Sequence, residues 1–170
     1  MTVFSGTLML QVANAIATGC LAVLTMAGRP ANRVFVTQGE VAWDECDCGQ
    51  LSVAVTRVTT TETFPAETQP RRPCGDIMMI ELQVGIVRCV PSADVNGTAP
   101  PAGDLTAAAG ISFLDIYDIR ATTQDVLCTL VDTNVIQDFF IGDQTSTGPL
   151  GGCGGSVLNV KVAFVHCMGC

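Results

Sequence analysis

Cysteine and histidine are the residues of this chain best suited to chemistry. The chain has nine cysteines and one histidine, and that histidine, His166, is followed directly by Cys167. A cysteine beside a histidine can act as a nucleophile when the imidazole takes the thiol proton. The alternating residues before His166 predict a strand, however, and adjacent residues of a strand point to opposite faces. These two side chains are therefore poorly placed to share a proton.

The segment from Gly151 to Gly155 resembles a phosphate-binding loop only loosely. It lacks the Lys-Ser/Thr ending and leads into a predicted strand, so no helix N-terminus is available to hold an anion. The acidic residues Asp44, Glu45 and Asp47 fit the solvated charges of a loop, and no carboxylate pair has a desolvating context. We predict no catalytic residue, no cofactor and no enzyme activity.

The cysteines allow three interpretations. A zinc site needs four converging thiolates or imidazoles, commonly from C-x2-C pairs, and only Cys167 and Cys170 have that spacing, so we predict no metal site. Disulfide bonds are the second interpretation, although an odd number of cysteines leaves at least one unpaired within a chain. The cysteines in predicted loops are Cys46, Cys48, Cys74 and Cys153. The third and favoured interpretation is small buried hydrophobic residues, such as Cys20 and Cys128, with unreactive surface thiols.

Composition and charge favour a protein that works inside an assembly. The 170 residues fit a single domain spanning 1–170, and only 14% of them are charged, below the roughly 25% of an average domain. Few charges would then cover the surface of a monomer. The net charge of −8 repels nucleic acid, which excludes DNA binding as the main function. A wall of that sign would instead let DNA slide past.

The elements that must position these residues begin with an amphipathic helix over residues 8–24. Its apolar residues at helical spacing are Leu8, Val12, Ile16 and Cys20. Ser5 or Thr7 is placed to cap its start, and Gly28 followed by Pro30 predicts its end. The same stretch has no Lys or Arg before Arg29 and contains several polar residues, so we predict neither a signal peptide nor a membrane span.

A long hairpin from Cys46 to Val90 follows a short strand at residues 33–37. Its arms are predicted at Leu51–Val58 and Ile77–Val90, and alternate residues of the second arm form a uniformly apolar face. Fourteen residues at about 3.3 Å each reach roughly 46 Å, so part of this arm should overhang or bend, with Gly85 as the bend.

The loop between the arms is too long for a tight turn and is the predicted subunit contact. The candidate interface residues are Phe64, Pro65, Arg71, Arg72 and Cys74. Its two arginines suit contact with an acidic neighbour, and a solvated loop explains the same residues equally well.

The C-terminal half is predicted to contain a linker, a helix and a strand. After the linker Pro91–Gly103, helical periodicity runs from Leu105 to about Phe139, with Asp104 as N-cap and breaks at Gly110 or residues 122–123. Residues 142–155 are predicted to be a glycine-rich loop and residues 157–166 a closing strand. The order predicts an α+β fold in which both helices pack on one face of a small, mainly antiparallel sheet.

These elements carry motifs that resemble a known family. The first is Asp-Cys-Gly-Gln-Leu-x-Val-x-x-x-Arg-Val at residues 47–58, followed by Phe-Pro at residues 64–65. Residues 74–91 then begin with Cys-Gly and end in Glu-Leu-x-Val-Gly-Ile-Val-Arg-Cys-Val-Pro, and Val-Ala-Phe-Val follows at residues 162–165. The layout resembles the head-to-tail completion proteins of long-tailed (siphovirus-type) phages of actinobacteria, and among these the tail terminators.

The resemblance implies a structural subunit of a homo-hexameric neck ring in the virion, at the head–tail junction, assembled in the host cytoplasm. The ring would cap the tail tube protein and dock to the head–tail connector or stopper protein, away from any membrane. Genomic DNA would pass through it without specific binding. Two alternatives stay open: a stopper or adaptor of the same neck, and a secreted binding module stabilised by disulfide bonds.

Overall fold

The computed structural model describes residues 6–40, 49–68, 77–150 and 152–165. Within these residues, two helices and five strands follow one another. They are α1 (Gly6–Met26), β1 (Arg33–Gln38), β2 (Gln50–Thr61), β3 (Ile77–Cys89), α2 (Ala102–Asp132), β4 (Asp138–Leu150) and β5 (Cys153–Val165).

The strands form one sheet in the order β1-β2-β3-β5-β4. Only β1 and β2 run parallel, and the other three neighbouring pairs are antiparallel. Helix α1 packs over β1, β2 and β3, while α2 packs beside it over β3, β5 and β4. The side chains between the helices and the sheet form one continuous apolar core. The predicted α+β fold, with both helices on one face of a mainly antiparallel sheet, is confirmed.

Strand β3 lies at the centre of the sheet and shows the predicted alternation. Ile80, Leu82, Val84 and Ile86 are buried in the core on the helix-bearing face. The predicted overhang or bend is wrong, because β3 is paired with β5 along its whole length and with β2 up to Val87. Gly85 pairs in register with Ser52 and Val157, and the irregularity lies instead in β2, between Val55 and Arg57.

Helix α1 follows its prediction closely. The predicted stripe is buried against the sheet, with Val12, Ile16 and Cys20 fully inaccessible. Gly28 ends the helix at a positive φ of 72°, with its N–H donating to Thr25 and the next N–H donating to Leu24. This is the Schellman arrangement that glycine favours. By length and composition alone α1 could cross a membrane, and in this fold its apolar stripe packs on the sheet.

Helix α2 differs from the prediction at both ends. It is one unbroken helix of 31 residues that begins at Ala102, and its N-cap residue is Pro101 with no side-chain cap. Asp104 therefore lies in the first turn and is not the N-cap. The helix ends near Asn134, whose φ of 56° is left-handed, while the N–H of Val135 donates to the carbonyl of Leu130. Asparagine tolerates this left-handed conformation, so Asn134 marks the end of the helix. The apolar spacing continues past it and does not show this end.

Strand β4 replaces most of the predicted glycine-rich loop. It pairs antiparallel with β5, but its register shifts twice, after Ile141 and after Thr147. These shifts break the alternation that would have revealed a strand. Gly148 lies near the turn at a φ of 110°, and a Cβ there would lie 2.8 Å from the carbonyl oxygen of Cys153. Only glycine fits such a close approach of two backbones.

Candidate subunit interface

Two arginines and two aspartates form a cluster where α1, α2 and β3 meet. Arg29, just after α1, donates to Asp115 and Asp118 of α2. Arg88 on β3 donates through Nε to the other carboxylate oxygen of Asp115 at 2.8 Å. Asp115 is completely buried, and the four formal charges cancel. We call these four residues the buried ionic cluster.

The buried ionic cluster also orders the chain between α1 and β1. The remaining nitrogens of Arg88 donate to the carbonyl oxygens of Arg29 at 2.6 Å and Pro30 at 2.8 Å. Arginine suits this role because its planar group presents five donors in a fixed geometry. Every residue of the buried ionic cluster bonds to another residue of the cluster or to backbone. This indicates a structural role, in which the cluster holds α2 in place from Asp115 onward.

A second ionic cluster lies on the opposite, outer face of the sheet. Arg57, Glu81 and Lys161 are neighbours across β2, β3 and β5. Glu67, from the segment after β2, accepts from Lys161 at 3.0 Å and from Arg57 at 2.7 Å. The hydrogen bond from Lys161, with that from Arg57, lowers the pKa of Glu67 to about 2. These contacts attach the segment 62–68 to the outer face.

The predicted interface residues are described only in part. Phe64 is half-buried and Pro65 is exposed, in a turn where the Thr61 hydroxyl contacts the carbonyl oxygens of Thr63 and Ala66. The hydroxyls of Thr63 and Thr68 lie 2.8 Å apart and close this turn further. The other three candidates, Arg71, Arg72 and Cys74, lie outside the described residues.

The described cysteines divide into bonded and free residues. Cys153, one of the four cysteines predicted in loops, is disulfide-bonded, and so is Cys89, which the sequence placed in a strand. Cys46, Cys48 and Cys74 lie outside the described residues, as does His166. In the part of the chain that the structure describes, no cluster of three His, Cys, Asp or Glu side chains could hold a metal.

Two cysteines of the described residues are free, and they differ in exposure. Cys20 on α1 is buried 3.7 Å from the hydroxyl of Thr123 on α2, and burial raises the pKa of its thiol to about 11. Cys128 is exposed, so the prediction that it is buried is wrong. It is adjacent in sequence to the buried Leu127, and one residue along a helix is enough to turn a side chain outward.

A large exposed apolar surface lies on α2 between Leu105 and Tyr117. Five large apolar side chains of this helix are exposed. They are Leu105 (45%), Ile111 (44%), Phe113 (68%), Leu114 (55%) and Tyr117 (72%). We call them the α2 apolar surface. The fully buried residues of the helix, in contrast, all lie from Asp115 onward. Phe113, Leu114 and Tyr117 are three or four positions apart or adjacent and so share one side of the helix. Clustered exposed apolar side chains of this kind mark interaction sites on proteins.

The α2 apolar surface continues into a groove beside the β4–β5 hairpin. The groove has a volume of about 250 Å³ and lies between the first half of α2 and the end of the hairpin. Leu105 and Phe113 line it on the helix side, and Val90, Pro91 and Pro149 lie among the residues that face them. Helical spacing did not reveal this surface, because spacing shows which side chains share a face and not whether that face is covered.

The chain matches no protein-family model, and no curated protein has a significantly similar sequence.

Proposed function

We propose that this chain is a non-enzymatic structural subunit of a phage head-to-tail neck ring, the tail terminator that caps the tail tube. The ring would dock the tube to the head connector and surround the channel through which DNA passes. The motifs of residues 47–58 and 74–91 support this proposal by their resemblance to that family. The α2 apolar surface supports it independently and is the observation that carries it.

Exposure of the α2 apolar surface to water is energetically unfavourable. Aromatic side chains such as Phe113 and Tyr117 bury roughly 150–250 Å² each when covered, at roughly 25 cal/mol per Å². Covering these two alone therefore favours association by several kcal/mol before the entropy of association is subtracted. A subunit of a permanent ring covers such a surface in every copy.

Charge supports the same proposal. The chain carries 16 acidic and 8 basic residues, so every copy adds the same sign to an assembly. Two of the basic residues, Arg29 and Arg88, are turned inward to the buried ionic cluster. A ring whose acidic residues line the channel would repel DNA phosphates and leave no attractive sites along the path.

The test uses the purified full chain, size-exclusion chromatography with light scattering, and negative-stain electron microscopy. We expect six-fold rings that stop the growth of tubes assembled from the cognate tail tube protein. A chain that stays monomeric at all concentrations and leaves tube length unchanged contradicts the proposal. Rings that bind DNA-filled capsids instead of tubes would identify a stopper or adaptor of the same neck.

A second candidate function is a secreted binding module, which the bonded state of Cys89 and Cys153 favours. Disulfide bonds persist in oxidising compartments and are rare in the cytosol. Thiol counting by mass spectrometry on denatured, unreduced protein from its native host separates the two candidates. Disulfide-bonded Cys89 and Cys153 in protein recovered from outside the cell support the module, and reduced thiols in assembled particles support the ring subunit.

A further inference from the structure

The solvent side of α2 carries a regular line of uncharged residues. Six positions follow one another at alternating spacings of four and three residues, and none of them is buried. They are Gly103, Ala107, Gly110, Leu114, Tyr117 and Ala121. Positions at this spacing form a straight line along a helix, as they do where one helix packs against another. We call these six residues the α2 seam.

The glycines of the α2 seam indicate that a second helix packs there. Glycine is among the least favourable residues in a helix interior, yet Gly110 lies well inside α2. Beyond their own stretch of helix, no described atom lies within 4 Å of the position that a Cβ would take at Gly103 or Gly110. Packing within one copy therefore does not require these glycines. A residue without a side chain lets another backbone approach closely.

The α2 seam is complementary in size to a second, antiparallel copy of itself. Its small residues Ala107 and Gly110 come before its large residues Leu114 and Tyr117. A two-fold axis at Ser112 places Leu114 of one copy opposite Gly110 of the other, and Tyr117 opposite Ala107. A parallel contact in register places glycine against glycine and tyrosine against tyrosine, so the two backbones could not approach evenly. Only the antiparallel arrangement sets large residues against small ones, as close packing requires.

The exposed area is sufficient for a stable pair. Four large apolar side chains on the seam or beside it are exposed: Ile111, Phe113, Leu114 and Tyr117. Their exposed parts amount to roughly 400 Å² in each copy, so a two-fold contact covers roughly 800 Å² of apolar surface. Because homodimer interfaces are about 65% apolar, this corresponds to about 1,200 Å² in total. Specific protein interfaces begin at about this size.

Charge neither drives nor opposes this contact. No residue of the α2 seam is charged. Asp118 and Arg120 flank Tyr117 on the two sides of the seam, and both are bonded within their own copy. Asp118 accepts from Arg29, and Arg120 donates to the carbonyl oxygen of Gly142 at 2.9 Å. Apolar packing is therefore the source of the affinity, and salt should not weaken the pair.

We infer that two copies of the free chain pair through the α2 seam, with the two helices antiparallel about Ser112. The same surface of each copy forms the contact, which makes it isologous and closes it after two copies. The inference therefore goes beyond the proposed function, because such a contact cannot by itself build a ring. It assigns the state of the free subunit at concentrations below those at which rings form.

The first test enlarges a small residue of the α2 seam in the full chain. Gly110→Leu places a side chain where the partner helix approaches, while leucine favours the helix more than glycine does. We expect a roughly 30-fold or greater rise in the Kd of the pair, with no loss of thermal stability in the monomer. Tyr117→Asp should weaken the pair similarly. Thr129→Leu is the matched control, because it adds leucine at an exposed position of α2 outside the seam. Size-exclusion chromatography with light scattering, over a dilution series, measures the Kd.

The second test measures the direction of the two helices through the exposed thiol of Cys128. In the antiparallel pair the two Cys128 residues lie about 48 Å apart along the axis, because 32 helical residues rise 1.5 Å each. In a parallel contact they would be neighbours. A short bismaleimide should therefore not join Cys128 to its counterpart. The same reagent should join two Leu114→Cys chains at the new thiol, since the two copies of that position lie about 6 Å apart along the axis.

The outcomes separate the inference from the proposed function. A wild-type chain that is only monomer or ring, with no pair at any concentration, overturns the inference and leaves the proposed function standing. Pairs in a chain that never forms rings support the inference and overturn the proposed function. Tighter pairing of Gly110→Leu would show a nonspecific apolar contact, and a cross-link between two Cys128 residues would show a parallel one. Either result overturns the inference.

Discussion

The two halves of α2 share one continuous backbone and have opposite surroundings. From Asp115 onward a residue is buried at every fourth position: Asp115, Ile119, Thr123 and Leu127. Before Asp115 no residue of the helix is fully buried, and Phe113 and Leu114 are more than half exposed. The change occurs at the buried ionic cluster, where α2 is attached to β3 and to the end of α1.

The difference between the halves separates the fold from the interaction surface. Both halves contain apolar residues at helical spacing, and this spacing decides only which side chains share a face. Whether a face is covered depends on where the sheet and α1 end. The side chains buried from Asp115 onward therefore stabilise the monomer, and the exposed apolar side chains between Leu105 and Tyr117 are available to a partner.

The largest effect is expected at the start of the second half. Asp115→Asn keeps the side-chain volume and removes the charge, which leaves Arg29 and Arg88 largely buried without their shared carboxylate. Breaking a buried ion pair in this way costs about 3–5 kcal/mol, measured as the loss of unfolding free energy in urea. Asp118→Asn is the control, since Asp118 is more exposed and Arg29 keeps Asp115. Equal losses from the two substitutions would show that the complete burial of Asp115 adds nothing to its contribution.

The same substitution in each half compares them directly. Leu127→Ala removes a fully buried side chain, and we expect a loss of about 2–5 kcal/mol of unfolding free energy. Leu114→Ala removes a side chain that is 55% exposed, and its effect on a monomer should stay within about 0.5 kcal/mol. Urea unfolding at a protein concentration where only monomer is present measures both. Similar losses at the two positions would contradict the division of the helix.

Much of the fold is predictable because its elements carry local signals. The apolar stripe and Gly28 predict α1, and strict alternation predicts β3 and β5. Strand β4 escaped prediction because two register shifts cancel its alternation, and its pairing depends on β5, which follows it in the chain. The end of α2 was placed too late because Phe139 continues the helical spacing past Asn134, where the backbone turns left-handed.

The interface was less predictable, for a different physical reason. Residue type and spacing identified Phe64 and Pro65 as candidates, but exposure is a property of the whole fold. Ile111 and Leu114 have the spacing of core residues, and only the position of the sheet leaves them uncovered. The ion pairs of Asp115 join residues 86 and 27 positions apart in the chain, a separation at which sequence spacing carries no information.

The two free thiols of the described residues should differ in reactivity, because Cys20 is buried and Cys128 is exposed. Burial raises the pKa of Cys20 from 9.0 to about 11, which lowers its thiolate fraction at pH 8 about a hundredfold. Because the folded-state pKa is raised, this group stabilises the fold below pH 9 and loses that contribution as the pH rises toward 11. Exposed Cys128 should react with iodoacetamide at least a hundredfold faster than Cys20, as peptide mapping by mass spectrometry would show. Equal rates in folded protein would mean that the α1–α2 contact opens freely.

The smallest effect is expected at the ionic cluster on the outer face of the sheet. This cluster is exposed, whereas the Asp115 cluster is buried. The pKa of Glu67 is lowered from 4.5 to about 2, so its contacts stabilise the segment 62–68 above pH 4.5 and are lost as the pH falls toward 2. Glu67→Gln should speed amide hydrogen exchange in this segment at pH 7, and 0.5 M salt should do the same to the wild type, because exposed charges are screened. The Asp115 cluster should resist salt.

Glu40→Gln is the control, since Glu40 takes part in no ion pair within the described residues. If the exchange rate of the segment does not change with Glu67→Gln, pH or salt, the Thr61 turn alone holds the segment. The charges on the outer face would then contribute nothing to its attachment.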